Sequence, residues 1–109
     1  MKIVARKEFL ELPEGTVYSR YKPHAIEELF IKGDAFFAEN NDFSAVSLIG
    51  NIECNSTGEY FEILESNKEF RYEYECGCRD GMFDESQQFV IYDKEDVRAL
   101  ISALEGTLK

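Results

Sequence analysis

The sequence predicts an α+β fold: a mostly antiparallel sheet of about five strands, two amphipathic helices packed on one face of it, and a short N-terminal helix. Short runs rich in β-branched and aromatic residues, separated by turn residues, predict the strands. Two segments with apolar residues at the helical period predict the helices. The 109 residues are close to the usual size of one domain, so we interpret 1–109 as a single domain.

The first half of the chain predicts four strands and one short helix. Residues 2–5 predict a strand and residues 6–12 a helix, which ends before Pro13 because proline disfavours helical geometry in the residue that precedes it. Further strands are predicted over 16–21, 29–37 and 43–52, where β-forming residues are concentrated. Lys22 and Pro23 break the second of these four strands.

A capping box predicts the start of the first long helix. The Ser56 hydroxyl is expected to cap the first turn while the Glu59 side chain reaches back. We expect the helix to continue to about Glu69, because at ~100° per residue its apolar and acidic side chains separate into two arcs. The apolar arc holds Tyr60, Phe61, Ile63 and Leu64. The pattern therefore predicts one buried side and one carboxylate side.

The last third of the chain predicts two strands and the second long helix. Residues 70–76 alternate between aromatic or sulfur-containing and charged side chains, which is typical of a half-buried strand, and residues 88–92 form a short apolar strand. Asp93 is a good N-cap for the final helix, and Gly106 is a natural stop. The apolar stripe of this helix is Val97, Leu100, Ile101 and Leu104.

The charge is distributed unevenly along the chain. Residues 1–35 carry six basic and six acidic side chains, so the whole net charge of −10 comes from the remaining residues. Such a field repels nucleic acid and anionic membranes and attracts basic surfaces. Direct nucleic-acid binding is disfavoured because it needs clustered Lys and Arg.

Hydropathy predicts a cytoplasmic protein without a membrane segment. No apolar run approaches the roughly 20 residues that span a bilayer. The N-terminal run becomes charged again after three apolar residues, which is too short for a signal peptide.

The sequence carries no catalytic motif, and we expect a protein that is not an enzyme and needs no cofactor or metal. Glycine-rich phosphate loops are absent, and the single histidine, His24, has no local nucleophile framework. Cys54, Cys76 and Cys78 could join His24 in a Cys3His zinc site, but buried free cysteine is the favoured interpretation because the spacing is unlike that of structural zinc sites. The acidic residues at 80, 84 and 85 are interpreted as a surface turn rather than a calcium loop.

The favoured function rests on carboxylates that recur every three or four residues along the first long helix, about 4.5–6 Å apart along its axis. This spacing is of the order of phosphate spacing along one strand of a duplex. Two glutamates of the following strand extend the stripe, whose proposed partner-binding residues are Glu59, Glu62, Glu65, Glu69, Glu73 and Glu75. The predicted partner is a basic protein, such as a nucleic-acid-handling enzyme or a defence complex. The chain would act as an inhibitor-like nucleic-acid mimic that occupies the basic site of this partner. Phage-encoded inhibitors of restriction or CRISPR systems resemble this chain in size and charge, a likeness of composition and not of motif.

The alternative is a cytoplasmic interaction domain that associates through a sheet edge, including into a homodimer. Under this interpretation the acidic face only keeps the protein in solution, as charged outer helix faces commonly do.

Overall fold

The computed structural model describes residues 1–73 and 77–109. The strands are β1 Lys2–Ala5, β2 Val17–Lys22, β3 Ala25–Phe36, β4 Asp42–Ser47, β5 Gly77–Arg79 and β6 Gln88–Tyr92. The helices are α1 Arg6–Leu10, α2 Thr57–Glu65 and α3 Lys94–Glu105. Short 3₁₀ turns lie at Ala38–Asn40 and Gly106–Leu108.

The strands form one open antiparallel sheet in the order β1-β6-β2-β3-β4-β5. The predicted α+β class with a mostly antiparallel sheet is confirmed, although the sheet has six strands among residues 1–73 and 77–109 rather than about five. Edge strands β1 and β5 are four and three residues long.

The β2–β3 hairpin turns through Pro23 and His24, since Lys22 pairs directly with Ala25. His24 has a φ of 68°, a left-handed conformation in which histidine is enriched among non-glycine residues. The pairing shifts register near Glu28, whose φ is 62°. Strand β3 therefore begins four residues before the predicted strand at 29, because its first part lies beyond a turn and a bulge that the residue pattern did not reveal.

An aromatic cluster on one face of the sheet forms the core. Phe9 of α1 is fully buried and stacks on Phe89 with ring centroids 4.0 Å apart. It also meets the edge of Tyr18 at 4.6 Å and of Phe43 at 4.9 Å. Burying aromatic side chains contributes strongly to stability, and these pair geometries are favourable. The short helix α1 therefore covers the face on which the two long helices were expected to pack.

The predicted packing of two amphipathic helices on one face is not what the structure shows. Neither α2 nor α3 has a buried residue. The radius of gyration is 15.5 Å, whereas about 13 Å is typical of a compact chain of 100 residues. The side chains of both long helices are half-buried or exposed, whereas Phe9 of α1 lies in the core cluster.

The predicted strand over 70–76 is wrong across its described residues. Tyr72 forms a single antiparallel bridge with Ile52, and no strand runs through 70–73. Tyr74, Glu75 and Cys76 lie outside the described residues. Gly77, Cys78 and Arg79 pair with β4, in a stretch that the residue pattern did not predict as a strand.

Across residues 1–73 and 77–109, no helix has the length and hydrophobicity needed to cross a bilayer.

Candidate protein-binding surface on the α2 segment

The segment that carries α2 leaves the sheet at the end of β4 and spans residues 48–73, here called the α2 segment. Its base is tied by backbone hydrogen bonds, in which Glu53 N donates to Arg71 O at 2.8 Å. The Tyr72 hydroxyl donates to Leu48 O at 2.7 Å, and Leu48 N in turn donates to Leu29 O of β3 at 2.7 Å. These contacts hold the segment beside the sheet without placing α2 in the core.

The capping residues predicted from sequence begin α2. Ser56 Oγ accepts a hydrogen bond from Glu59 N at 3.1 Å. Glu59 Oε2 accepts from Asn55, from the backbone N at 3.4 Å and from Nδ2 at 3.3 Å, one residue earlier than a regular capping box requires. Glu59 is half-buried and takes part in the cap, so its carboxylate is less available to a partner than the sequence indicated.

Glu62 and Glu65 lie three residues apart on α2 and are both exposed. Within the described chain neither carboxylate forms an ion pair or a hydrogen bond. Side chains at this spacing are neighbours on a helix surface. The two glutamates are therefore an adjacent pair of unneutralised charges.

The helix ends earlier than predicted, so Glu69 is not on it. Ser66 caps the C-terminus, its Oγ donating to Ile63 O at 2.7 Å, and Asn67 has a φ of 57°. Asparagine is favoured in the left-handed conformation that follows a helix. Glu69 lies exposed in the connection after this turn.

Glu73 lies next to the Ile52–Tyr72 bridge, outside helix α2. It is half-buried, and its N donates to Asn51 O at 3.1 Å. Glu75 lies outside the described residues. Of the six predicted residues, the structure places Glu62 and Glu65 side by side, Glu59 in the cap, and Glu69 and Glu73 beyond the helix.

Exposed apolar side chains lie next to the acidic pair, which the sequence did not indicate. Phe61 is 58% exposed and Leu64 is 48% exposed, although both fall in the arc expected to be buried. Tyr60 and Ile63 are half-buried and form the inner side of the helix. Successive positions of ~100° place Phe61 and Leu64 between that inner side and the glutamates. The outer surface of α2 is thus half apolar and half acidic.

Two carboxylates of the sheet body, defined as β1–β6 with α1 and their connections outside the α2 segment, are by contrast paired with arginines. Asp80 Oδ2 accepts from Arg6 Nη1 at 3.1 Å, with both side chains buried. The Arg6 Nη2 donates to Asn41 O at 2.7 Å. Asp42 is fully buried and has Arg79 Nε 2.7 Å from its Oδ2.

Burial acts to raise the pKa of Asp42, but hydrogen bonds and charges outweigh it. The N–H groups of Gly81 and Phe43 donate to Oδ1 at 3.0 and 2.9 Å, and both stabilise the ionised carboxylate. Together with Arg79 and Arg6 they hold the pKa of Asp42 below its ordinary value. This carboxylate serves the fold and is closed to a partner.

Among the described residues, His24 forms no hydrogen bond with a serine or a cysteine, and the two serine–carboxylate pairs, Ser44–Asp34 and Ser86–Asp84, are exposed and lack a histidine. His24 lies exposed in the β2–β3 turn, Cys54 is half-buried and Cys78 is exposed. No group of three or more metal-ligating side chains occurs among the residues described, and Cys76, part of the zinc alternative, lies outside them. Burial lowers the pKa of Lys32, but its Nζ donates to Leu12 O at 2.8 Å and the residue is 3% exposed, so a substrate cannot reach it.

Two open grooves lie on the sheet body. One, of about 570 Å³, runs between residues 12–17, which lead into β2, and the start of α3. It is lined by Leu12, Pro13 and Val97 among others. The other, of about 910 Å³, lies beside α1 and contains Arg6, whose terminal nitrogens are already engaged by Asp80 and Asn41. Neither groove gathers a reactive set of side chains.

Comparisons with protein-family models, with curated proteins and with solved structures found no match to this chain.

Proposed function

We propose that this chain is a small acidic protein-binding protein, inhibitor-like in action, whose α2 segment occupies the basic site of a nucleic-acid-handling partner. The single observation that carries the proposal is the exposed, unneutralised pair Glu62 and Glu65 on a helix that the core does not need. The pair lies about 4.5 Å apart along the helix axis, of the order of phosphate spacing on one strand.

The local excess of carboxylates around α2 supports a role for these glutamates beyond solvation. The sheet body matches Asp80 and Asp42 with arginines, whereas Lys68 is the one cation of residues 57–69 against four glutamates. Unscreened carboxylates grouped in this way accelerate encounter with a basic surface.

The apolar neighbours supply what charge alone lacks. Long-range charge steers association and gives specificity, whereas affinity comes chiefly from a few desolvated anchors, among which aromatic side chains are enriched. Phe61 and Leu64 stand exposed beside the glutamates and provide such anchors. The proposed partner site is therefore basic with an apolar margin, as in a cleft that contacts both phosphates and bases.

Capture from a host lysate with matched variants tests the proposal. Immobilised wild-type chain, a Glu62→Lys/Glu65→Lys variant and a Glu11→Lys/Glu14→Lys variant are compared by quantitative mass spectrometry. Each double change moves the net charge from −10 to −6, since every Glu→Lys adds two, but Glu11 and Glu14 lie on the sheet body. Partners lost with the first variant and kept with the second are the ones that the α2 segment binds.

We expect the partners that only the Glu62→Lys/Glu65→Lys variant loses to be nucleic-acid-binding proteins. Duplex DNA or RNA is expected to compete with this chain for them. The affinity is expected to fall steeply as salt rises and the Debye length shortens from about 10 Å at 0.1 M. A partner bound equally by all three chains, or one that binds nucleic acid and this chain at once, would refute the mimicry.

The alternative role, association through a sheet edge, finds less support in the geometry. Edge strand β1 has four residues, and short edge strands are a common protection against such pairing.

A further inference from the structure

We propose that α3 is a self-association surface through which two copies of this chain pack antiparallel about a two-fold axis. The inference is independent of the proposed function, because α3 and the α2 segment are separate parts of the chain.

The outer surface of α3 carries an apolar stripe that the chain does not cover. Its side chains become more exposed toward the C-terminal end: Leu100 is 36%, Ile101 50%, Leu104 67% and Leu108 84% exposed. Val97, at the start of the stripe, is half-buried beside the groove near Leu12. A stripe at this spacing normally faces another helix or a sheet.

The helix lacks the packing that usually stabilises a helix of its length. It has twelve residues and none of them is buried. Isolated helices shorter than about 12–15 residues are marginal in water, and most helical stability in proteins comes from packing of the apolar face. A partner that covers the stripe would supply this missing stabilisation.

Charge favours a second copy as that partner. Residues 94–109 carry three basic and three acidic side chains, so they are neutral in a chain whose net charge is −10. Two copies repel over most of their surface but can approach through this segment. Because residues 94–109 have no net charge, they do not attract a strongly basic or strongly acidic partner.

The charges flanking the stripe are complementary to themselves under a two-fold axis. Arg98 and Glu105 lie on the same flank, about 20° apart on the helical wheel and next to Ile101. An antiparallel arrangement centred near Ser102 sets Leu100 level with Leu104 of the second copy. It also brings each Arg98 within about 1.5 Å of the level of the other copy's Glu105. In the single chain Arg98 contacts Glu95, an exposed pair that exchanges readily.

The contact is of the size expected for a weak dimer. The fifteen residues from Lys94 to Leu108 form a helical stretch about 22 Å long and about 10 Å wide. Such a footprint lies below the roughly 800 Å² per partner of a standard stable interface. We therefore expect association that depends on concentration and is complete only well above micromolar levels.

Sedimentation equilibrium over a wide concentration range tests the dimer. At physiological salt the wild-type chain is expected to shift from monomer to dimer. Leu104→Glu, which puts a charge in the stripe, is expected to raise the dissociation constant at least tenfold. Ser102→Glu adds the same charge about 160° from Leu104 on the helical wheel, on the side of α3 turned away from the stripe, and is expected to leave association nearly unchanged.

Charge exchange tests the antiparallel register. Arg98→Glu alone and Glu105→Arg alone each set like charges opposite each other and are expected to weaken self-association roughly tenfold. An equimolar mixture of these two variants pairs opposite charges at both positions, so the mixture is expected to form dimers that neither variant forms by itself.

A wild-type chain that stays monomeric to millimolar concentration would overturn the proposal, as would a dimer that survives Leu104→Glu. Failure of the mixed variants to associate better than each alone would overturn the antiparallel register. All the substituted side chains are exposed, and circular dichroism of each variant confirms that the sheet remains folded.

Discussion

The sheet body and the two long helices differ in how much of their side-chain surface they bury. The body, β1–β6 with α1, buries an aromatic cluster around Phe9 and pairs the buried Arg6 with Asp80. The long helices α2 and α3 bury no residue, and they expose apolar side chains next to unpaired or self-complementary charges. The comparison teaches that amphipathic helices need not belong to the core of the domain that carries them.

This division separates residues that fold the chain from residues available to partners. Substitutions in the body should cost stability, whereas substitutions on the outer faces of the helices should cost association.

Phe9→Ala is expected to destabilise the chain by about 3–5 kcal/mol, because it removes a fully buried ring from the centre of the core. Phe61→Ala, which truncates a ring that is 58% exposed, is expected to cost below about 1 kcal/mol. Denaturant unfolding measures both. Similar losses for the two variants would show that α2 is part of the core.

Arg6→Met is expected to cost about 3 kcal/mol, because it leaves the Asp80 carboxylate buried without its partner. The same unfolding experiment measures the loss. Lys2→Met removes an exposed ion pair with Glu8 and is the control, expected to change the free energy of unfolding by less than about 1 kcal/mol. Equal effects would contradict the assignment of Arg6–Asp80 as a structural pair.

Lowering the pH is expected to reduce the stability of the sheet body, because Asp42 becomes protonated. The pKa of Asp42 is below its ordinary value in the folded chain, so its contribution to stability is present above about pH 4 and is lost as the pH falls through the folded value. Asp42→Asn keeps an oxygen for the Gly81 and Phe43 N–H groups but cannot titrate. The variant should therefore lose less stability than the wild type between neutral and acid pH in denaturant titrations. A parallel loss in both chains would show that Asp42 does not govern the acid response.

Ser56→Ala removes the N-cap of α2 and is expected to cost about 1 kcal/mol of helix stability. Because α2 buries nothing, the cost should appear as a local opening. Hydrogen exchange should show roughly fivefold lower protection within α2 and unchanged protection in β2 and β6. Loss of protection in the central strands would mean that α2 and the sheet unfold together.

Local signals in the sequence located many elements correctly. Asp93 caps α3 and Gly106 ends the helix, as the sequence predicted, and Asp93 also forms a reciprocal capping box with Asp96 that was not predicted. The strands at 2–5 and 88–92 match their predicted bounds. These features depend on residues within a few positions of one another.

Features that depend on distant residues were not predictable in this way. The residues at 80, 84 and 85 were interpreted as an acidic surface turn, yet Asp80 is paired with Arg6, 74 positions earlier. The exposure of the α3 stripe is a property of the tertiary structure, and the periodicity within α3 does not indicate it. Within the candidate site, the pattern located Glu62 and Glu65 correctly, but it extended the helix past Asn67 and so misplaced Glu69.

The most direct test of the account compares stability and binding in one variant, Glu62→Lys/Glu65→Lys. We predict that its free energy of unfolding stays within about 0.5 kcal/mol of the wild type, while its affinity for the captured basic partner falls at least a hundredfold. A variant that binds as tightly as the wild type, or one that loses binding only because it unfolds, would contradict the account.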